Sequence, residues 1–172
     1  YEISPEQALD TSVRFFKEAG AMAVKLEGAH LATVEKLTSS GIPVMGHLGL
    51  TPQSLHQLGG YRVQGRSDGD AILEAALALE KAGAFAIVLE LVPAELAARI
   101  TEALSIPTIG IGAGAGCDAQ VLVWTDLMGI TKSAPKLAKA YRNLRFEMLN
   151  AAKEYASDVS SGQFPGPEQT FH

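Results

Sequence analysis

The chain carries an internal echo that limits its fold more than any other feature. Ala19-Gly20-Ala21-Met22-Ala23-Val24-Lys25-Leu26-Glu27 returns as Ala82-Gly83-Ala84-Phe85-Ala86-Ile87-Val88-Leu89-Glu90, identical at six of nine positions. Ile42-Pro43-Val44-Met45-Gly46 returns as Ile106-Pro107-Thr108-Ile109-Gly110, and the two offsets, 63 and 64 residues, nearly agree. A constant offset across two separate segments means that one supersecondary unit is used twice. Within the unit, Phe85 to Val92 is a mostly apolar run, broken only by Glu90, of the kind that forms a strand buried on both faces. Gly83 precedes it, and Pro93-Ala94-Glu95-Leu96 opens a helical pattern after it. Glu90 therefore falls at the carboxyl end of a parallel strand, or just beyond it in the loop.

Read in order, the remaining elements alternate in the same way. Ser4-Pro5-Glu6-Gln7 starts a helix, with Ser4 as N-cap and Gln7 closing a capping box, and Gly20 ends it. A strand over 21–26 finishes in Lys25-Leu26-Glu27, which puts Lys25 and Glu27 on one face. A helix through Leu31, Val34 and Leu37 leads to a strand over 42–46 that ends at His47. The long irregular stretch 48–69 holds a possible turn at Thr51-Pro52, and a connection of this length inside a domain is usually functional. Asp70 can cap the next helix; then come the Glu90 strand, a helix with Leu96 and Ile100, and a strand over 106–112. The spacing predicts a last strand over 121–124 and a long final helix over 135–158, followed by an extended tail at Phe164-Pro165. This is an α/β chain, a single domain over residues 1–172, of five βα units. Five units make an open doubly wound sheet or most of an eight-stranded barrel. Acids at equivalent strand ends, Glu27 and Glu90, favour the barrel, whose strand ends share one mouth.

Composition bears on the partner. The 14 Lys and Arg against 19 Asp and Glu, net −5, argue against a nucleic-acid surface and leave small molecules. No apolar run reaches the roughly 18 residues of a membrane span. Cys117 is the one cysteine, so no internal disulfide forms and a reducing, cytoplasmic compartment is expected. The chain opens at Tyr1 almost directly into a helix, a start expected of a cut chain.

Four polar residues, Lys25, Glu27, His47 and Glu90, end strands of three different units. Carboxylates beside a lysine suit a carboxylate-bearing substrate next to a hard divalent ion, although Glu27 by itself is too poor a ligand set. His47 is a substrate contact or a structural hydrogen bond. Gly110-Ile111-Gly112-Ala113-Gly114 lacks the third glycine and the distal acid of a dinucleotide loop. Its glycines instead let backbone approach a ligand or a neighbouring loop. Cys117 has no histidine near it in sequence, which speaks against catalytic use.

Several of these runs are familiar together. Gly46-His47-Leu48-Gly49-Leu50-Thr51-Pro52-Gln53-Ser54 and Gly59-Gly60-Tyr61-Arg62-Val63-Gln64-Gly65-Arg66 closely resemble the ketopantoate hydroxymethyltransferase family. So do Val24-Lys25-Leu26-Glu27-Gly28, Val88-Leu89-Glu90-Leu91-Val92-Pro93 and the Gly110 to Gly114 run. The resemblance covers essentially the whole chain. It implies a (βα)₈ TIM barrel of the phosphoenolpyruvate/pyruvate superfamily, of which this chain supplies strands 4–8. It also implies transfer of a hydroxymethyl group from methylenetetrahydrofolate to α-ketoisovalerate in pantothenate synthesis, through an enolate stabilised by Mg²⁺. By position, Glu90 resembles the family's general base, Lys25 the residue that binds the substrate carboxylate, and Glu27 the acid beside the metal, reached through water. The family's two metal-holding aspartates lie on earlier strands that these residues do not include. A homo-oligomer, typically a decamer, is implied as well, with the final helix and tail near its contacts. Ala119 stands where the family usually has glycine, expected to be a minor loop change. The rival readings are another α-keto-acid enzyme of the same superfamily and a non-catalytic barrel fragment that needs partner strands.

Overall fold

The computed structural model describes residues 1–171. Helix α1 (Pro5–Ala19) begins where the sequence places it: the Ser4 hydroxyl accepts the Gln7 N–H at 3.1 Å, and Gly20 closes the helix at φ +68°. There follow β1 (Val24–Lys25), α2 (Leu31–Ser39), β2 (Val44–Gly49), a 3₁₀ turn at Pro52–Ser54, α3 (Gly69–Lys81), β3 (Ala86–Glu90), α4 (Ala94–Ala103), β4 (Thr108–Ile111), β5 (Ala119–Gln120), α5 (Trp124–Leu127) and α6 (Leu144–Ser161). The chain divides into two compact units, Tyr1–Val121 and the residues from Leu122 onward, where the sequence alone suggests one domain.

In the first unit all five strands are parallel and lie side by side in chain order. A doubly wound sheet reverses its strand order at a switch point. This sheet never reverses, so its units advance in one direction, as consecutive units of a barrel do. Glu90 belongs to β3 and is not a loop residue.

Register sorts the side chains into two sets. Lys25 pairs with Met45, Met45 with Ala86, His47 with Val88, Gly49 with Glu90, Val88 with Ile109 and Glu90 with Ile111. Paired residues share a face and alternate with their neighbours. Leu26, Val44, Leu48, Ile87 and Leu89 therefore point the other way, where they pack with Val34 and Leu37 of α2, Leu79 of α3 and Leu96 and Ile100 of α4. Burying these aliphatic side chains contributes on the order of 1.5–3 kcal/mol each. Gly46 lies on that helix-facing side, 3.1 Å from Leu79 Cδ1 to the point a Cβ would occupy, so α3 packs almost onto the strand backbone.

Several boundaries differ from the sequence reading, among them β1 and β4, which are shorter than expected (Val24–Lys25 against 21–26, Thr108–Ile111 against 106–112). Strand β2 runs on to Gly49, since Leu48 and Gly49 still pair with β3, so His47 lies inside a strand. The last strand is Ala119–Gln120, not 121–124. The Asp118 carboxylate accepts the Thr108 N–H at 2.8 Å and the Thr108 hydroxyl at 3.2 Å, which fixes β5 against β4 two residues early. Ala119 is consequently a strand residue opposite Ile109, and no helix separates β4 from β5. The final helix begins at Leu144, because the N–H groups of Tyr141, Leu144 and Arg145 bond back to the carbonyls of Leu127, Met128 and Gly129. Asp70 stands in the first turn of α3, where it pairs with Arg99, and Asp68 takes the cap position.

Within the second unit, no residue of α6 is buried, and Phe146, Met148, Leu149, Tyr155 and Val159 are all exposed. The tail turns back at Gly162, φ +74°, and sets the Phe164 ring edge-on to Tyr155.

Gly49 is the tightest point of the sheet. Its φ is +90°, and a Cβ there would stand 2.1 Å from the Glu90 carbonyl oxygen. Left-handed backbone and overpacking each cost on the order of 1–3 kcal/mol. Gly49→Ala should therefore lose at least about 3 kcal/mol in urea denaturation followed by circular dichroism. An unchanged midpoint would contradict the close approach of β2 to Glu90.

Candidate active site

The strand face turned away from the helices gathers the four polar residues that the sequence singles out. The β1 ladder continues past Lys25 through the Leu26 N–H to the Met45 carbonyl and the Gly28 N–H to the His47 carbonyl. Glu27 thus keeps the face of Lys25, and Lys25 Nζ lies 3.6 Å from Glu27 Oε1. His47 is buried between the two acids. Its Nδ1 is 3.2 Å from Lys25 Nζ and 3.8 Å from Glu27 Oε1, while its Nε2 is 3.2 Å from Glu90 Oε2. Glu27, Lys25, His47 and Glu90 form one continuous polar row across three strands.

The row favours one histidine tautomer. A lysine ammonium only donates, so Nδ1 accepts and the imidazole proton sits on Nε2. That N–H faces Glu90, yet Nε2 makes no hydrogen bond of acceptable geometry despite the short distance. Buried donors are nearly always satisfied. This one is close to a carboxylate but poorly aimed at it, which leaves it free to donate to an oxygen placed between the strands.

Two residues that the sequence did not mark hold Glu27 in place. Its Oε2 accepts the Gln53 backbone N–H at 2.9 Å, so the turn anticipated at Thr51-Pro52 serves as a clamp on a buried carboxylate. The Tyr1 hydroxyl accepts the Glu27 N–H at 3.3 Å and donates to Gln53 Oε1 at 3.0 Å. Burial raises the Tyr1 phenol above its ordinary pKa, partly countered by the Glu27 N–H bond and reinforced by the Glu2 and Glu27 charges, so it stays a donor at neutral pH. The only local signal for these contacts was the Thr-Pro turn itself; the pairing with Glu27 is tertiary.

The glycine run behaves as neighbour-packing backbone. A Cβ at Gly114 would lie 2.5 Å from Ala94 Cβ, and one at Gly116 would lie 3.0 Å from Ala98 Cβ, so both glycines exist to let the loop meet α4.

A magnesium ion does not fit these residues by themselves. Mg²⁺ needs near-octahedral oxygen donors. Among the described residues no three His, Cys, Asp or Glu side chains cluster as ligands. Both oxygens of Glu27 are already engaged, one by Gln53 and one facing Lys25.

A protein-family model described as ketopantoate hydroxymethyltransferase matches residues 1–167. The chain belongs to this family. It is 57% identical over 175 residues to the 3-methyl-2-oxobutanoate hydroxymethyltransferase of Nocardioides sp. (strain ATCC BAA-499 / JS614), covering 99% of this chain and 59% of that protein. The protein of the same name from Acidothermus cellulolyticus is also 57% identical, over 99% of this chain and 65% of its own. That from Cyanothece sp. (strain PCC 7425 / ATCC 29141) is 55% identical over 96% and 66% respectively. The chain thus spans about three-fifths of the length of the curated relatives it matches. A solved Burkholderia cenocepacia J2315 protein described as a lyase/mutase superposes with a TM-score of 0.47 at 16% identity, over 98% of this chain and 62% of its own. That likeness is too distant to bear on fold or chemistry. Among the described residues, no helix is long and apolar enough to cross a membrane.

Glu27 gives the site its own test. Glu27→Gln keeps the shape but removes the charge that Gln53 and Lys25 face. Charge-assisted hydrogen bonds are worth more than neutral ones, and the half-exposed Lys25 is partly screened. The variant should lose about 1–2 kcal/mol of stability by denaturant unfolding. A gain in stability would mean that Glu27 is strained rather than held.

Proposed function

We propose that the whole protein transfers a hydroxymethyl group from methylenetetrahydrofolate to α-ketoisovalerate, giving ketopantoate. The observation that carries the reading is the polar row itself: a carboxylate, a spare N–H donor and an ammonium on one sheet face, at the carboxyl ends of parallel strands. Each has a part in that reaction. Glu90 is the general base and takes a proton from the β-carbon of the keto acid. The Lys25 ammonium pairs with the substrate carboxylate, which its partial exposure leaves it free to do. His47 offers its Nε2–H to a substrate oxygen. The carbon that has lost its proton then uses that electron pair to form the new C–C bond to the methylene carbon of the folate. Over the reaction both C–N bonds to that carbon break, a water supplies the hydroxyl oxygen, and tetrahydrofolate leaves with the keto-acid proton and one proton of the water on its two nitrogens.

Two further parts of the reading extend past these residues. Strands β1 and β5 each leave one edge unpaired, and open parallel edges are normally covered. We propose that additional strands join them into a (βα)₈ barrel, and that Mg²⁺ takes its remaining ligands from those strands and from the substrate, with Glu27 behind a water. The exposed apolar residues of α6 support a homo-oligomer. The net charge of −5 and the small, polar site support small-molecule partners rather than nucleic acid.

Two measurements bear on this. In the complete protein, Glu90→Gln should abolish exchange of the keto-acid β-proton with solvent while leaving substrate binding within about threefold, because only the proton acceptor is lost. Wild-type exchange in that variant would refute the assignment. Residues 1–172 alone should bind Mg²⁺ weakly by calorimetry, with a Kd above about 1 mM, since one outer carboxylate is a poor site. Tight stoichiometric binding would show that the ligands lie within this chain.

A further inference from the structure

Leu91 follows the proposed base and is the only non-glycine residue with positive φ, +47°, among those described. An L side chain in the left-handed region costs about 1–2 kcal/mol and persists only where its surroundings hold it there. The surroundings do so at three consecutive points. The Glu90 carbonyl accepts the Leu50 N–H at 2.8 Å, the Leu91 N–H donates to the Ile111 carbonyl at 2.9 Å, and the Leu91 carbonyl accepts the Gln64 N–H at 2.8 Å. The first bond belongs to the end of β2, the second extends the β4 ladder by one residue, and the third comes from the long irregular segment.

The bend changes which way the chain faces. In a strand that simply continued, Val92 would share the face of Glu90 and Val88. Val92 instead lies 3% exposed within the apolar cluster that contains Leu89, Leu96 and Ala97. The left-handed residue therefore ends the alternation immediately after Glu90. Glu90 becomes the last side chain on the polar face, and no aliphatic residue follows to cover its carboxylate.

We propose that Leu91 is a positioning residue: its left-handed backbone, secured by the Gln64 N–H, holds Glu90 on the polar face beside His47 with its carboxylate uncovered toward the substrate. This rests on Glu90 being the base. It also gives the irregular segment a definite task, since its single backbone bond to Leu91 makes the direction of the base depend on how that segment is seated.

The test compares two substitutions in the complete protein. Asparagine tolerates the left-handed region, whereas β-branched valine is among the residues least able to adopt it. Leu91→Val should slow β-proton exchange at saturating keto acid by about tenfold or more with the substrate constant within about twofold, whereas Leu91→Asn should stay within about threefold of wild type. If Leu91→Val does not fold, Gln64→Pro removes the clamping N–H while Leu91 is kept, and the same loss of rate at an unchanged substrate constant is expected. Equal rates in the Val and Asn variants, or losses of rate and binding that merely follow loss of melting temperature, would overturn the proposal. A Glu90→Gln control separates the two levels. If it is inactive and Leu91→Val (or, should that not fold, Gln64→Pro) is unaffected, the positioning role alone fails; if it exchanges normally, the base assignment fails first.

Discussion

The register between β2 and β3 is the constraint on which the site depends. Pairing His47 with Val88 and Gly49 with Glu90 places the histidine and the acid as diagonal neighbours on one face. A slip of one residue between the strands would send one of the two to the apolar layer formed with α2, α3 and α4 and separate the pair. The same alternation that buries Ile87 and Leu89 against the helices therefore presents Val88 and Glu90 on the other side. Core and chemistry are two faces of one hydrogen-bonded ladder, and hydrophobic burial on one face enforces the geometry of the other.

Close backbone approach is the second condition. Gly49 brings β2 against the Glu90 carbonyl, Gly114 and Gly116 bring the loop after β4 against α4, and Leu91 turns the chain out of the sheet. These are positions where side-chain volume or ordinary backbone preference is given up so that strand ends can converge. Local strain of this kind is sustained only where neighbouring hydrogen bonds over-determine it, and around Glu90 three such bonds are present.

The polar row also shows how a charged set can be kept on a partly buried surface. Glu27 is satisfied by a backbone N–H from a tight turn and by a half-exposed lysine, so its charge is neither isolated nor wholly desolvated. Lys25 in turn favours the His47 proton on Nε2. The result is a directional arrangement of donors and acceptors with one donor left over, which suits a ligand that brings its own oxygens.

Much of this was legible in the sequence because it is local or periodic. The repeat at 63 and 64 residues, the continuous run ending in Glu90 and the Ser4 cap follow from spacing and from the chemistry of single residues. They determine a parallel α/β chain with Lys25, Glu27 and Glu90 at or near strand ends and His47 late in its strand, and the resemblance of the motifs carries the family. Tertiary structure decided the rest. Ala119–Gln120 became the last strand because the Asp118 side chain reached back to Thr108, a contact that no propensity encodes. The start of α6 was set by N–H groups that donate to the carbonyls of Leu127, Met128 and Gly129, and the grip of Gln53 and Tyr1 on Glu27 joins residues 26 positions apart in each case. Nor does any composition rule mark Leu91 as left-handed. Sequence periodicity reports which face a residue occupies, because burial repeats with the backbone; it does not report which distant donor completes a carboxylate or bends a strand, because that depends on where the chain returns.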